Sequence, residues 1–397
     1  MATSQQLAAF NYAVPGPPVW NPVRSASFNA VAGNAYPVNT TSAAVTVTLP
    51  ASPVIGQAVQ IVDYAGTFAT NACIVARNGS KIAGQAANAI LTVNRESLSF
   101  VYIDSTQGWI AYSAFIATNI GQSYTASYLI VAGGGGGGGY YGGGGGAGGL
   151  LTSSSYSVSP TNVITVTVGA GGAGGVGQSA QGVNGTNSTI VGSTTITVYG
   201  GGGGGVDFAS AGKNGGSGGG TSLGAVNPGV GVYPGSTYIS AARQGYDGGA
   251  GDAAGGGGAG AVGSGTGGGT GAISTIITTA QATTYAVGQV VGSDVYFAGG
   301  GGGWGRSSLE PGGNGGGGNG SYTGVPVAGT ANTGGGGGGG SGPYGSGIYS
   351  GANGGSGVVI LSVPTANYTG TTTGSPTVIT SGADTIIIFK SSGSYTA

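Results

Sequence analysis

The chain has 397 residues, of which 97 are glycine and only 4% are charged, and its formal net charge is −1. Eight basic and nine acidic residues, thinly spread, argue against electrostatic capture of nucleic acid or of an anionic membrane. With no histidine and a single cysteine, the chain has no His-based triad, no intrachain disulfide and no Cys/His zinc site.

Residues 1–24 predict an extended arm, because four prolines surround Trp20. Trp20 could anchor this arm to a partner or pack on the domain that follows. The first basic side chain is Arg24, and no run of 18 apolar residues is free of glycine. We therefore expect no secretory signal peptide and no membrane insertion, with synthesis in a cytoplasm.

Residues 25–117 have a nearly ordinary composition and predict a small antiparallel β-sandwich. Short alternating segments are separated by turn signals such as Asn78-Gly79, a spacing typical of this fold. The predicted strands are 44–49, 58–62, 73–77, 90–93, 98–102 and 109–112. Cys73 falls in one of them, where a small buried hydrophobic residue is expected.

Residues 118–364 contain long glycine runs, among them 133–139, 142–146, 200–205 and 334–340. Disorder is disfavoured because charge is scarce and strand-like segments such as 128–131 and 358–361 need burial. Collagen is excluded because glycine does not recur at every third position. The remaining solution is polyglycine II, a helix with three residues per turn whose N–H groups donate hydrogen bonds to neighbouring helices. A C-terminal strand segment, 365–397, is predicted to pack on this domain.

Aromatic residues cluster in the loops between the glycine runs, which include residues 226–246 and 273–297. Rigid aromatic side chains with small polar neighbours give binding loops contact area at low entropic cost. The candidate binding residues are Tyr140, Tyr141, Phe208, Tyr246, Trp304, Tyr344 and Tyr349. The alternative is that these aromatics cap the packed glycine helices and cover strand edges.

No motif predicts catalysis, so we expect no enzyme activity, no cofactor and no metal. Gly169, Gly171 and Gly174 match a dinucleotide-binding pattern, but neither a helix nor a suitably placed acid follows. Asp247 and Asp252 could bind a divalent cation or act as paired carboxylates, or they could be solvated loop acids.

Several segments together resemble the glycine-rich domain of bacteriophage tail fibres and tail-tip adhesins. They are 127–136, 156–158, 163–175, 331–338 and 354–361, followed by the strand pair 373–378 and 388–395. The N-terminal part resembles small β domains of phage virion proteins. The resemblance implies packed polyglycine II helices whose tip loops contact a host receptor, either a glycan or an outer-membrane protein.

The resemblance also implies a place in the virion, reached by cell lysis, with other tail or virion proteins as partners. It favours a homo-oligomer, specifically a trimer, although no heptad stalk is present. Unlike adhesins carried on a separate fibre protein, this chain has its own arm and β domain, which we expect to be its attachment to the virion. Alternatives are a purely structural virion fibre or decoration protein, an ice-binding protein, and a depolymerase, which would need two carboxylates at a defined separation.

Overall fold

The structure is a computed structural model that describes residues 17–115, 123–159, 161–235, 242–305, 309–342 and 350–397. Its regular elements in these ranges are β-strands, one α-helix and one 3-10 turn, which confirms the expected all-β class. The chain divides into two compact units, Met1–Ile120 and Gly121–Ala397.

In its described part, 17–115, the N-terminal unit contains two sheets that share one core. Its strands are Val19–Trp20 (β1), Phe28–Asn29 (β2), Asn34–Val38 (β3), Val45–Thr48 (β4), Ala58–Asp63 (β5), Cys73–Ala76 (β6), Ala89–Leu91 (β7), Ser97–Asp104 (β8) and Gly108–Phe115 (β9). The sheets have the orders β1-β3-β5-β8-β9 and β2-β4-β6-β7. Alternate residues of both sheets point into one buried cluster, which includes Val38, Val47, Ile61, Val75 and Phe100.

The expectation of an antiparallel fold is wrong for the first six strands. β3 pairs in parallel with β1 and β5, and β4 pairs in parallel with β2 and β6. The chain crosses from one sheet to the other after each of the first five strands, so these neighbours within a sheet lie two strands apart in sequence and share a direction. Antiparallel pairing begins at β7, in the pairs β6–β7, β5–β8 and β8–β9.

The described part of the predicted arm runs along the edge of the first sheet. The N–H of Val19 donates to the carbonyl of Gly33 at 2.9 Å, and that of Asn21 donates to the carbonyl of Ala35 at 3.0 Å. Trp20 remains 58% exposed, so it does not insert into the core of this unit.

Cys73 is completely buried, and its environment predicts an unreactive thiol. Burial, together with the nearby charges of Asp63 and Glu96, raises the pKa of Cys73 from 9.0 to about 12. Because the thiolate is the nucleophile, we expect iodoacetamide at pH 8 to label Cys73 only after denaturation. Rapid labelling of the native chain would contradict this placement.

The pKa of Cys73 in the folded chain lies above its value in the unfolded chain. The contribution of Cys73 to stability is therefore intact below pH 9 and is lost as pH rises toward 12.

The described residues of the C-terminal unit form three sheets. Its strands are Tyr124–Val131 (β10), Leu150–Val158 (β11), Val163–Thr167 (β12), Ser188–Val191 (β13), Thr195–Val198 (β14), Ala272–Ile273 (β15), Gln289–Val291 (β16), Asp294–Phe297 (β17), Val358–Pro364 (β18), Thr371–Thr373 (β19), Thr377–Ser381 (β20), Asp384–Phe389 (β21) and Gly393–Thr396 (β22). The helix is Thr279–Tyr285 (α1), and Thr365–Asn367 is a 3-10 turn. The sheet orders are β11-β10-β18-β21-β20, β14-β13-β12-β22-β19 and β15-β17-β16.

The sheet β11-β10-β18-β21-β20, which we call the central sheet, is covered on both faces. On one face, Ile130 and Leu361 pack with Ile164 of the sheet β14-β13-β12-β22-β19. On the other face, Leu129 and Ile360 pack in a cluster with residues of α1 and β17. Double coverage explains why β18 and β21 read as continuous apolar runs instead of alternating ones.

Residues 273–297, interpreted from the sequence as a loop, contain β16, β17 and α1. The helix begins with a capping box in which Thr278 and Gln281 satisfy each other's backbone N–H groups. The spacing Thr278-x-x-Gln281 was the local signal for this helix.

Glycine run 133–139 lies at the centre of a regular hydrogen-bonded array. Its N–H groups donate hydrogen bonds of 2.8 to 3.2 Å to three neighbouring segments in turn, so that every third residue bonds to the same segment. Residues 133, 136 and 139 donate to segment 180–186, residues 134 and 137 to segment 352–355, and residues 135 and 138 to segment 143–146. Its carbonyls accept in the same rotation from three more segments, 172–175, 201–204 and 337–340. Six neighbours therefore surround this run and satisfy its backbone groups.

Run 142–149 is bonded in the same way, donating in rotation to 199–205, 254–257 and 334–340. We call the segments packed around these two runs the glycine bundle. A Cβ on Gly133 or Gly134 would lie 2.0 or 2.1 Å from a carbonyl oxygen of the adjoining segment. Neighbouring backbones thus occupy the space that a side chain would need, which explains the unbroken glycine.

Candidate functional site

The glycine bundle has one end at the central sheet and another away from it. Run 133–139 follows directly from β10, and run 142–149 leads directly into β11. Tyr140 and Tyr141 join the two runs at the far end, which we call the tip. The whole length of run 133–139 therefore separates the tip from the central sheet.

Other segments turn at the same tip. Run 200–205 lies parallel to run 133–139 and ends beside Tyr140, whose carbonyl accepts the N–H of Asp207 at 2.6 Å. The N–H of Trp304 donates to the carbonyl of Gly142 at 2.9 Å, at the start of run 142–149. Three separate segments of the chain therefore meet at the tip.

Their aromatic rings form one group, which we call the tip cluster: Tyr140, Tyr141, Phe208, Trp304 and Tyr322. The ring centroid of Tyr141 lies 4.2 Å from that of Tyr140, 5.1 Å from that of Phe208 and 4.8 Å from that of Trp304. The Trp304 and Tyr322 centroids are 6.0 Å apart. These separations are typical of favourable aromatic pairs.

The members of the tip cluster differ in exposure. Tyr141 and Trp304 are 7% and 4% exposed, so they form its buried centre. Phe208 is 62% exposed, whereas Tyr140 and Tyr322 are half-buried. The buried pair hold the outer rings in place, and the outer rings are available for contact with another molecule.

The backbone at the tip is strained as well as ordered. Tyr141, Asp207, Ala209 and Ala253 have φ angles of 47°, 56°, 61° and 48°, in the left-handed region that non-glycine residues seldom adopt. The N–H of Ala209 donates to the carbonyl of Leu223 at 2.9 Å, which holds one of these turns. Strained turns of this kind concentrate at functional sites, where surrounding structure maintains them.

Four of the seven residues predicted from the sequence thus come together: Tyr140, Tyr141, Phe208 and Trp304. Tyr246 does not join them, because it lies beside Arg243, whose guanidinium carbon is 4.3 Å from its ring centroid and 4.7 Å from that of Tyr233. Tyr344 and Tyr349 lie outside the described residues. Tyr322 was not predicted from the sequence. The local signal was present, because Tyr322 comes shortly after a glycine-rich segment, as Trp304 does.

The two acids considered as a cation or catalytic pair each cap a loop. Asp247 Oδ1 accepts the N–H of Gly231 at 2.8 Å, and Asp252 Oδ1 accepts the N–H of Gly224 at 3.0 Å. Throughout the described ranges, no group of three or more His, Cys, Asp or Glu side chains is placed to hold a metal ion. These contacts favour a structural role for both acids.

A family model for a glycine-rich domain matches residues 111–364, well over half of the 397 residues. The chain belongs to this glycine-rich domain family. The matched region runs from β9 to the end of β18 and so contains the glycine bundle and the tip cluster. It stops before β21 and β22, although these strands complete two sheets of the same compact unit.

No curated protein matches the chain. In the part of the chain that the structure describes, no helix has both the length and the apolar character needed to cross a membrane.

Proposed function

We propose that this protein is a bacteriophage tail fibre or adhesin that contacts a host cell-surface receptor through the tip cluster of its glycine-rich domain. The observation that carries the proposal is the tip cluster itself, with Phe208 exposed on a strained turn above buried Tyr141 and Trp304. Rings that are already ordered lose little entropy on binding, and aromatic faces suit both sugar rings and apolar protein surfaces.

The rigidity of the tip follows from a second proposal, that the glycine bundle is an array of polyglycine II helices. Its support is the three-residue rotation of hydrogen bonds in runs 133–139 and 142–149, which matches the three residues per turn of that helix. Six bonded neighbours around each run resist bending, so the tip is presented as a fixed surface.

The N-terminal unit is the proposed attachment to other tail or virion proteins. Its support is the exposed apolar edge strand β1, in which Val19 and Trp20 are 66% and 58% exposed. The proposed location is the virion, and the proposed assembly is a homo-oligomer, specifically a trimer. Several copies would add avidity to weak single-site binding. The receptor is a glycan or an outer-membrane protein.

Replacing Tyr140 and Phe208 together by serine is expected to reduce adsorption of the purified chain to host cells by at least about tenfold. The reason is that replacing aromatic residues that contact the partner often weakens binding by several-fold to a hundred-fold. Labelled chain is incubated with a panel of bacterial strains, and bound protein is measured by flow cytometry.

The matched control is Tyr64→Ser, an aromatic residue that is 54% exposed in the N-terminal unit. This variant should adsorb like the wild type, and circular dichroism should show that both variants remain folded. Undiminished adsorption of the double variant would remove the tip cluster from receptor contact. Failure of the wild type to adsorb to any strain would favour the alternative, a purely structural virion fibre or decoration protein.

A further inference from the structure

One face of the central sheet changes from apolar to polar along its length. Near the glycine bundle this face is covered by α1 and β17 and carries the apolar residues of a buried cluster. Residues two positions apart on a strand share a face. The residue two positions farther from the glycine bundle on each strand therefore belongs to the same face, but lies past the elements that cover it. This change from an apolar to a polar residue occurs on four neighbouring strands. Leu129 is followed on this face by Ser127 on β10, Ile360 by Ser362 on β18, Ile386 by Asp384 on β21, and Ile379 by Ser381 on β20.

This polar area forms the floor of a cavity of about 610 Å³, which we call the serine groove. Residues 152–154 of β11 and 273–276, at and after β15, form its walls. Eight serine and threonine side chains line it, together with Asp384 and three isoleucines. No lysine or arginine is among the described residues that line it. The volume lies within the range typical of small-molecule sites.

Contacts inside the serine groove hold its floor in place. Ser362 Oγ donates to Asp384 Oδ2 at 3.0 Å, and Gln281 Nε2 of α1 donates to Ser381 Oγ at 3.1 Å. Ser362 and Ser274 are only 6% and 8% exposed, so hydroxyl groups stand at the bottom of a recess instead of on an open surface. An ionised carboxylate accepts up to about four hydrogen bonds, so Asp384 retains acceptor capacity beyond its bond to Ser362.

From this lining we infer that the serine groove binds an uncharged carbohydrate. Hydroxyl groups both donate and accept, as sugar hydroxyls do, and the carboxylate of Asp384 accepts from sugar O–H groups with a charge-assisted bond. Ile273 and Ile276 supply apolar contact for the C–H faces of a sugar ring. Anionic sugars are disfavoured because Asp384 would repel them with no cation in the lining to compensate. This site is separate from the tip cluster and does not depend on the proposed receptor contact there.

The test uses saturation-transfer NMR on the full chain with four probes: maltotriose, cellotriose, tri-N-acetylchitotriose and trigalacturonic acid. We expect at least one neutral trisaccharide to bind and trigalacturonic acid to give no signal. Asp384→Asn should weaken binding of the neutral probe about tenfold or more, since a hydrogen bond to a charged group is lost. Ser154→Trp, at an exposed position in the groove wall, should abolish binding by filling the space.

The matched control is Thr165→Trp, also at an exposed strand position but on the sheet β14-β13-β12-β22-β19, which should leave binding unchanged. Phe208→Ser should also leave it unchanged, which distinguishes this site from the tip cluster. Absence of binding by all three neutral probes would overturn the inference. So would equal binding of trigalacturonic acid, or binding that survives Ser154→Trp and is lost with Phe208→Ser.

Discussion

Gly136→Ala is expected to destabilise the glycine bundle strongly, although it adds only one methyl group. The new Cβ would lie 2.0 Å from the carbonyl oxygen of Ala173, far inside van der Waals contact. Gly136 cannot move away, because its N–H donates to Val183 and its carbonyl accepts from Gly204, both at 2.9 Å. The clash is between backbones, so no side-chain rotation relieves it. We expect a loss of more than about 3 kcal/mol in the free energy of unfolding.

The matched control is Gly267→Ala, in the same glycine-rich domain. Its Cβ would be 3.3 Å from the nearest atom, the carbonyl oxygen of Ser264, so a small shift accommodates it. We expect this variant to lose less than about 1 kcal/mol. Scanning calorimetry measures both variants, and hydrogen exchange of the bundle amides shows where protection is lost. Equal stability of the two variants would contradict the packing described for run 133–139.

Trp304→Ala is expected to destabilise the tip by about 3 to 5 kcal/mol, the usual cost of removing a large buried aromatic side chain. Trp304 is 4% exposed and packs edge-to-face on Tyr141 at 4.8 Å. Its loss would leave a cavity below the outer rings, so adsorption to cells should fall together with stability. Denaturant unfolding and the adsorption assay measure the two effects.

Two further substitutions separate packing from contact. Among the described residues, Trp304 Nε1 is buried with no hydrogen-bond partner, so Trp304→Phe removes an unsatisfied donor and should cost less than about 1.5 kcal/mol. Phe208→Ala, at a 62% exposed position, should change stability by less than about 1 kcal/mol. If Trp304→Ala were as stable as Phe208→Ala, Trp304 would not be the buried support of the tip cluster.

The positions of about half of the strands could be predicted from the sequence, because strand periodicity is a local property. The segment expected at 163–168 is observed as Val163–Thr167, and that expected at 385–389 lies within Asp384–Phe389. Strand direction in the N-terminal unit could not be predicted in this way. Direction depends on whether the chain stays in one sheet or crosses to the other, and alternation of apolar residues is the same in both cases.

Part of the candidate site was also accessible from the sequence. Tyr140, Tyr141 and Trp304 stand beside glycine runs, so their location at run ends follows once the runs are extended. Their exposure did not follow: Tyr141 and Trp304 are buried, whereas Phe208 is exposed. Tyr246 shared the same local pattern but packs with Arg243, and its backbone bonds to Gly258 and Gly218 and not to the runs that end at the tip.

The sequence by itself determined that the glycine runs must pack against one another's backbones, because a run without side chains has no other way to satisfy buried N–H and C=O groups. It also determined the strands with the clearest apolar patterns, such as β12 and β21. Only the tertiary structure decided which runs are neighbours, which aromatic rings meet at the tip, and where the central sheet leaves the serine groove uncovered. Those outcomes depend on contacts between residues far apart in the chain, and identical glycine runs carry no side-chain information that distinguishes one neighbour from another.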